Sequence, residues 1–580
     1  MDQSDTTPDS ETEPKSGNGA GFGVAEPIAF EAGNDDGSKI ADGARSAAAH
    51  ATGTRIGRVL VVSGSQIVVL IDNQAGDAGP ATSSTMQIGA LVKMRTPVST
   101  VFAMVSGLSV PVPEPDSVDK EIRIAELEVL GEALTSADGG QQPFQRGVSV
   151  FPALGDAVYS STQEDLAKVY ARPAVSTVRV GTIHQDRSVP AFVTTDDLLG
   201  KHFAVLGTTG CGKSCAVALV LRAILSQHRN GHVLLLDPHN EYARAFDDAA
   251  EVLDPGSLQI PYWLLNFEEL VGVLVDGASE TREAETAILK DAVLAAKQRY
   301  RGDGKPDKPL TVDTPVPFRL KDLLQIIDDA VGKLDRPDNS APYLRIKRRF
   351  DTLKSDSRYS FMFPGLVVRD NMAAILSSLF RVPVAGKPIT IVDLSGVPSE
   401  ILNVVVSVLC RMTFDFALLC DRAMPILLVC EEAHRYAPQN AELGFEPTKR
   451  ALSRIAKEGR KYGVSLCVVS QRPSELAAGI LSQCNTIFAL RLSNQADQEY
   501  VRGTIRESAV GLFDSLPSLR NAEAIVVGEG VPVPVRMCLD ELPEDQRPLS
   551  GTASFSTAWH DDCEDANFLT DIVGRWRGLR

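Results

Sequence analysis

The stretch Gly207-Thr208-Thr209-Gly210-Cys211-Gly212-Lys213-Ser214 constrains this chain more than any other. Its spacing is G-x-x-x-x-G-K-S. The apolar run Phe203-Ala-Val-Leu206 before it reads as a buried strand, and Cys215 to Leu225 after it reads as a helix. A strand, a glycine-rich turn and a helix in that order let backbone N–H groups surround a phosphate chain at the positive end of the helix. In this reading Gly207 through Cys215 line the phosphates of ATP. Lys213 reaches the β- and γ-phosphates, and the Ser214 hydroxyl holds Mg²⁺.

A second element points to hydrolysis. The run Met424-Pro-Ile-Leu-Leu-Val-Cys430 reads as a buried strand ending in Glu431-Glu432. Acidic residues at the end of a strand beside such a loop serve Mg²⁺ and the attacking water. Glu431 takes the metal-side position and Glu432 the position that polarises water.

The rest of the chain supports an α/β architecture. From about Ser176 strands and helices alternate: His232–Asp237, Ile389–Asp393, Val464–Ser470, Thr486–Leu492 and Ala524–Gly528 read as strands of a mostly parallel sheet. Ligands bind such sheets at the C-terminal strand ends. Asp237, Glu431, Glu432 and Gln471 all fall there, and Asp237 joins the nucleotide-binding set. Between about 266 and 385 the pattern turns helical, for example over Thr281–Arg301 and Arg319–Val331, so this segment reads as an insertion. Its basic residues Arg345, Lys347, Arg348, Arg349, Lys354 and Arg358 alternate with Tyr343, Phe350, Tyr359 and Phe361. Two readings fit: a track for a phosphate backbone, or a solvated helix face with a core-facing aromatic stripe.

Upstream, short apolar runs at Ile56–Gly64, Gln66–Asp72, Ile88–Met94, Thr100–Ser106 and Ile122–Leu130 predict a small β-barrel closing near residue 160. The expected division is an acidic, disordered tail over 1–53, a barrel over 54–165, an ATPase domain over 166–545 and a polar C-terminal tail over 546–580. Such a division suits a chain of 580 residues with 44% apolar content. The net charge of −17 argues against a uniformly basic nucleic-acid binder, while leaving room for a locally basic channel. Nine cysteines without a C-x-x-C pair fit reduced thiols rather than a disulfide frame or a zinc site. Cys211 is either oxidation-sensitive or a small residue at a variable loop position. No signal peptide or membrane-spanning run is read, so a cytoplasmic protein without membrane insertion is expected.

Five motifs together, Gly207–Ser214, Asp237-Pro-His-Asn-Glu-Tyr242, Leu427-Leu-Val-Cys-Glu-Glu-Ala-His434, Lys457-Glu-Gly-Arg-Lys-Tyr-Gly463 and Ser470-Gln-Arg-Pro473, resemble the HerA family of the HerA/FtsK motor ATPases over about residues 54–545. The resemblance implies a RecA-like P-loop core with an N-terminal small β-barrel and a helical insertion. It also implies a homo-hexameric ring with ATP between subunits, double-stranded DNA in the channel, a nuclease of the NurA kind as partner, and a C-terminal segment over 546–580 that braces a neighbouring subunit. Lys213 and Ser214 carry over as the P-loop pair, Glu432 as catalytic carboxylate and Gln471 as γ-phosphate sensor. Arg460, with Arg454 second and Lys201 as a weaker candidate, would be the finger supplied in trans. The chain departs from the family in having Glu431 where Asp is usual, and Asn240 where the loop usually has Gly. Asn tolerates the left-handed turn, and the longer Glu431 would shift the metal geometry slightly. Other assignments remain open: the ATPase of an antiphage defence complex docking an effector through its barrel, a conjugation or secretion motor, or a scaffold ring that binds ATP without turnover.

Overall fold

The structure, a computed structural model, describes residues 53–577 except 73–85, 111–121, 137–139, 276–279, 303–308, 334–339, 364–367, 441, 506–509, 550–554 and 561–565. The acidic tail read over 1–53 therefore lies almost wholly outside the described residues, as does part of the C-terminal segment.

Seven strands build the first unit of structure: β1 (Arg55–Ser63), β2 (Gln66–Ile71), β3 (Leu91–Arg95), β4 (Ser99–Ser109), β5 (Ile124–Leu134), β6 (Gln145–Arg146) and β7 (Ala157–Ser160). They run β2-β1-β7-β3-β4-β5-β6, and a further β2–β5 pairing closes six of them into a barrel. Inward positions such as Val59, Val69, Val92, Val101 and Leu127 are fully buried and form the barrel's own core. Lys93 leaves the barrel wall to pair with Asp165 at 2.5 Å, both side chains buried, which ties the barrel to the helix Gln163–Val169.

Eleven strands form the main sheet: β8 (Thr177–Ile183), β9 (Pro190–Thr194), β10 (Phe203–Leu206), β11 (Val233–Asp237), β12 (Ala250–Leu253), β13 (Ile389–Asp393), β14 (Ile426–Cys430), β15 (Val464–Ser470), β16 (Thr486–Ala489), β17 (Glu523–Gly528) and β18 (Val535–Leu539). Their order is β12-β13-β11-β14-β15-β10-β16-β17-β18-β8-β9. The half from β12 to β16 is parallel. Apart from the edge strand β12, its strands are buried along their whole length, as continuous apolar runs such as Val233-Leu-Leu-Leu and Ile426-Leu-Leu-Val require. From β16 to β9 every pairing is antiparallel. The expected mostly parallel sheet is thus extended by an antiparallel half that includes β8, β9 and β18, strands not foreseen from the sequence.

Helix α1 (Lys213–Gln227) follows β10, and α2 (Ser399–Leu419) and α3 (Glu446–Tyr462) flank β14 and β15. By length and hydropathy α2 is the one membrane-span candidate among the described residues, but most of it is buried inside the protein as a core helix. Between β12 and β13 the chain runs through helices at Phe267–Leu274, Glu280–Arg301, Leu320–Val331, Ala341–Ser355 and Met372–Phe380. Lys297, buried on the second of these, donates to the carbonyls of Val312 and Thr314 at 2.6 Å each and fixes the connecting segment.

The basic cluster is arranged as the solvated-face reading expects. Arg345 pairs with Glu285, Lys347 with Asp328 at 2.7 Å, and Arg358 with Asp356 at 2.6 Å, while Arg349 donates to the Val273 carbonyl. Phe350, Tyr359 and Phe361 are buried in the core rather than presented to a ligand.

Candidate functional site: a P-loop flanked by paired carboxylates

The loop joining β10 to α1 has the shape its glycines allow. Gly210 and Gly212 take φ of 76° and 103°, the left-handed region that side chains rarely adopt. Gly212 caps α1 with no side-chain bond to the first-turn amides, leaving them free for an anion. Lys213 is buried and rests its ammonium on the Thr208 carbonyl of its own loop at 3.3 Å. Thr209 donates to the Oε1 of Gln471, so the loop and the end of β15 are in direct contact. Cys211 is fully buried, and burial pushes its thiol pKa up, which fits an inert small residue and not an oxidation sensor. Cys215 is exposed on the first turn of α1.

The loop after β11 supplies a residue that motif reading had left without a role. The Ser214 hydroxyl donates to Glu241 Oε2 at 2.7 Å. Glu241 reaches this position because Asp237 shapes the loop: its carboxylate accepts the backbone N–H of His239 at 3.2 Å and of Tyr242 at 3.0 Å. Asn240 takes φ of 53°, the left-handed turn that Asn permits. Asp237 is itself fully buried, with its carboxylate engaged by those two loop amides. It organises the loop, and Glu241 is the carboxylate that meets the P-loop serine.

Glu431 and Glu432 follow β14 directly. Glu431 is buried and accepts a 2.7 Å bond from the Tyr242 hydroxyl. Burial pushes its carboxyl up to about 8, with the Tyr242 bond pulling the other way. Glu432 has φ of 52° and ψ of 43°, left-handed for a residue with a Cβ, a strain typical of functional positions. Its Oε2 is buried and receives no directed hydrogen bond, although His434 Nδ1 lies 3.2 Å away. The same Nδ1 lies 3.2 Å from Ser470 Oγ, which accepts the Arg472 N–H at 3.1 Å. Burial lowers the His434 pKa, with Glu432 opposing.

The candidate cations behave differently from one another. Arg454 lies over the Phe414 ring at 4.0 Å and near Asp415 and Glu458, both at 3.8 Å. Arg460, exposed on the last turn of α3, makes no hydrogen bond or ion pair among the described residues. Lys201 is engaged by Asp197 and Glu529 within its own chain. Away from the loop, His184, Glu523 and Cys538 come close enough to share an ion. Arg536 already holds Glu523 at 2.7 Å, so that group is an ion-pair network.

The donor set fits a nucleotide with Mg²⁺: free amides at a helix start, a buried lysine, a serine hydroxyl on a carboxylate, and a buried carboxylate oxygen without a partner. Residues 178–413 match the family model described as "Helicase HerA, central domain". The chain is 27% identical over 474 residues to a DNA double-strand break repair helicase HerA of Pyrococcus furiosus, covering 73% of this chain and 78% of that one. A HerA of Sulfolobus acidocaldarius is 25% identical over 431 residues, covering 73% and 80%. Among solved structures, VirB4 of Thermoanaerobacter pseudethanolicus aligns over 65% of this chain and 99% of its own, at a TM-score of 0.45 and 15% identity. The conjugative coupling protein TrwB aligns over 68% and 95%, at 0.44 and 15%. By these sequence matches the chain is similar to HerA helicases over most of its length, and with the P-loop sheet it is an ATP-hydrolysing enzyme.

Proposed function

We propose that this protein hydrolyses ATP to drive movement along double-stranded DNA, as an enzyme of DNA break processing. The carrying observation is the convergence, at the C-terminal ends of β10, β11, β14 and β15, of the P-loop, Glu241, Glu431–Glu432 and Gln471. Lys213 and the amides at the start of α1 would hold the phosphates. Ser214, with Glu241 and Glu431, would hold Mg²⁺, which supplies charge neutralisation on the phosphate oxygens. Glu432 would orient the attacking water, and Gln471 would report on the γ-phosphate through its link to Thr209.

Arg460 is the better candidate for a finger acting on a neighbouring subunit. It is exposed and uncommitted, whereas Arg454 is held by Phe414 and Lys201 by its own acids. A finger in trans requires a neighbouring subunit, and the proposed assembly is a homo-hexameric ring. The barrel would dock a partner nuclease. Its support is apolar surface: Leu108, Val110 and Ile122 are exposed at one end of the β4–β5 hairpin.

Steady-state ATPase activity with and without linear duplex DNA, on wild type and Glu432→Gln, tests the proposal. Duplex stimulation that is lost in the variant is expected. Hydrolysis indifferent to DNA would refute the DNA motor and leave a partner-activated ATPase.

A further inference from the structure

We propose that His434 is a positioning residue that ties the Glu432 carboxylate to the end of β15, so that the sensor strand sets where the water-orienting oxygen stands. This rests on the reading of Glu432 as catalytic carboxylate and adds a part to it.

The argument begins with an orphan. Glu432 Oε2 is buried without a hydrogen bond, and such an atom in a folded protein calls for an explanation, a catalytic role among them. His434 Nδ1 lies 3.2 Å from it, close enough to bond after a small ring rotation. Ser470 Oγ lies at the same distance from the same nitrogen and already accepts the Arg472 N–H. A carboxylate oxygen only accepts, so Nδ1 carries the proton in the tautomer that serves Glu432. That one N–H faces two acceptors, Glu432 just after β14 and Ser470 at the end of β15. Ser470 directly precedes Gln471, which takes a hydrogen bond from Thr209 of the P-loop. The chain of contacts therefore runs from the P-loop through Gln471, Ser470 and His434 to Glu432. A shift of Gln471 when the loop fills would change which acceptor the N–H prefers, and with it the position of the Glu432 carboxylate.

The left-handed backbone at Glu432 fits this role. It turns the chain sharply after β14, so that the side chain of residue 434 comes back against that of 432. The charged groups around the imidazole are Glu432, Glu475, Arg435 and Arg472, so no single ion pair fixes it.

The test uses the full-length protein with ATP, Mg²⁺ and linear duplex, comparing wild type with His434→Ala, His434→Asn, Ser470→Ala and the double alanine variant. Asn places an amide N–H near the position of Nδ1 and keeps the donor. His434→Ala is expected to lower kcat about 10- to 100-fold, the scale of a misplaced catalytic group. KM and the Kd of a fluorescent non-hydrolysable ATP analogue should stay within about twofold. His434→Asn should recover most of the loss, and adding Ser470→Ala to His434→Ala should cost nothing more, as members of one relay require. An unchanged kcat in His434→Ala, a parallel loss of analogue binding, or no rescue by Asn would overturn the proposal. Glu432→Gln separates the two levels. If it hydrolyses normally, the reading of Glu432 fails; if it is inactive while His434→Ala is not, only the positioning role fails.

Discussion

The hydroxyl of Ser214 is held by Glu241 at 2.7 Å, a bond between the first turn of α1 and the loop after β11. A P-loop serine that binds Mg²⁺ presents the same oxygen to the ion, so on the proposed reading Glu241 stands where the metal shell would form. Glu241→Ala should therefore raise the Mg²⁺ concentration for half-maximal ATPase about 10-fold, the scale seen when partners of a metal ligand are removed. Ser214→Ala should act in the same direction, and the double variant should fall short of the sum. Mg²⁺ titrations at saturating ATP check this.

Lys213→Ala should lower hydrolysis by about 10²–10³-fold, the usual loss on removing a group that stabilises developing charge. The lysine's own bond is a 3.3 Å contact to the Thr208 carbonyl, so the fold should hold. Equal melting temperatures alongside lost hydrolysis are the expected pair of results. DNA-stimulated turnover retained in this variant would remove Lys213 from the site.

Arg460→Ala should cost about 10³-fold in turnover if the guanidinium acts on a neighbour's phosphate, and Arg454→Ala far less. Mixing Arg460→Ala with Glu432→Gln subunits supplies the decisive measurement. Each variant alone is inactive, and mixed rings contain interfaces with both residues intact, so activity should reappear. No complementation would mean that Arg460 serves its own subunit's site.

The barrel should show a pH signature of its own. Glu128 on β5 is buried with Oε2 unpartnered, and burial raises its carboxyl to about 7. A carboxyl raised in the fold is neutral at low pH and must ionise there at a cost as pH climbs from its unfolded value through about 7. Stability is lost over that interval, by roughly 1–3 kcal/mol at the alkaline end. Glu128→Gln should raise the melting temperature at about pH 8 and leave it unchanged at about pH 5, read by thermal unfolding at both.

The parts legible from sequence were local strings in a known strand context. Gly207–Ser214, Glu431-Glu432 and Gln471 each follow an apolar run, and the strand ends of one parallel sheet bring them together. The parts that escaped depend on pairs distant in the chain. Glu241 meets Ser214 across 27 positions, and His434 meets Ser470 across 36, and neither follows from spacing. The basic cluster read ambiguously because its acids sit on other helices, Glu285 lying 60 positions from Arg345 and Asp328 lying 19 from Lys347. The antiparallel half of the sheet was missed for another reason. Strand β18 alternates buried and half-buried residues, and β8 is interrupted by a bulge between Arg179 and Gly181, so neither gives the continuous apolar run of β11 or β14.

That antiparallel half has a consequence for synthesis. Strand β8 leaves the barrel and enters the main sheet between β9 and β18, with Gly181 opposite Leu539 and Thr182 opposite Cys538. The two partners are some 350 residues apart in the chain. As the polypeptide emerges from the ribosome, the barrel can close early, while β8 keeps a bare edge until nearly the whole chain has appeared. Contacts of such high sequence separation form slowly and leave strand edges open to wrong partners meanwhile. A truncation before Val535 would make that edge permanent, and the expected product is an aggregate seeded at the β8–β9 hairpin, however complete its nucleotide loop.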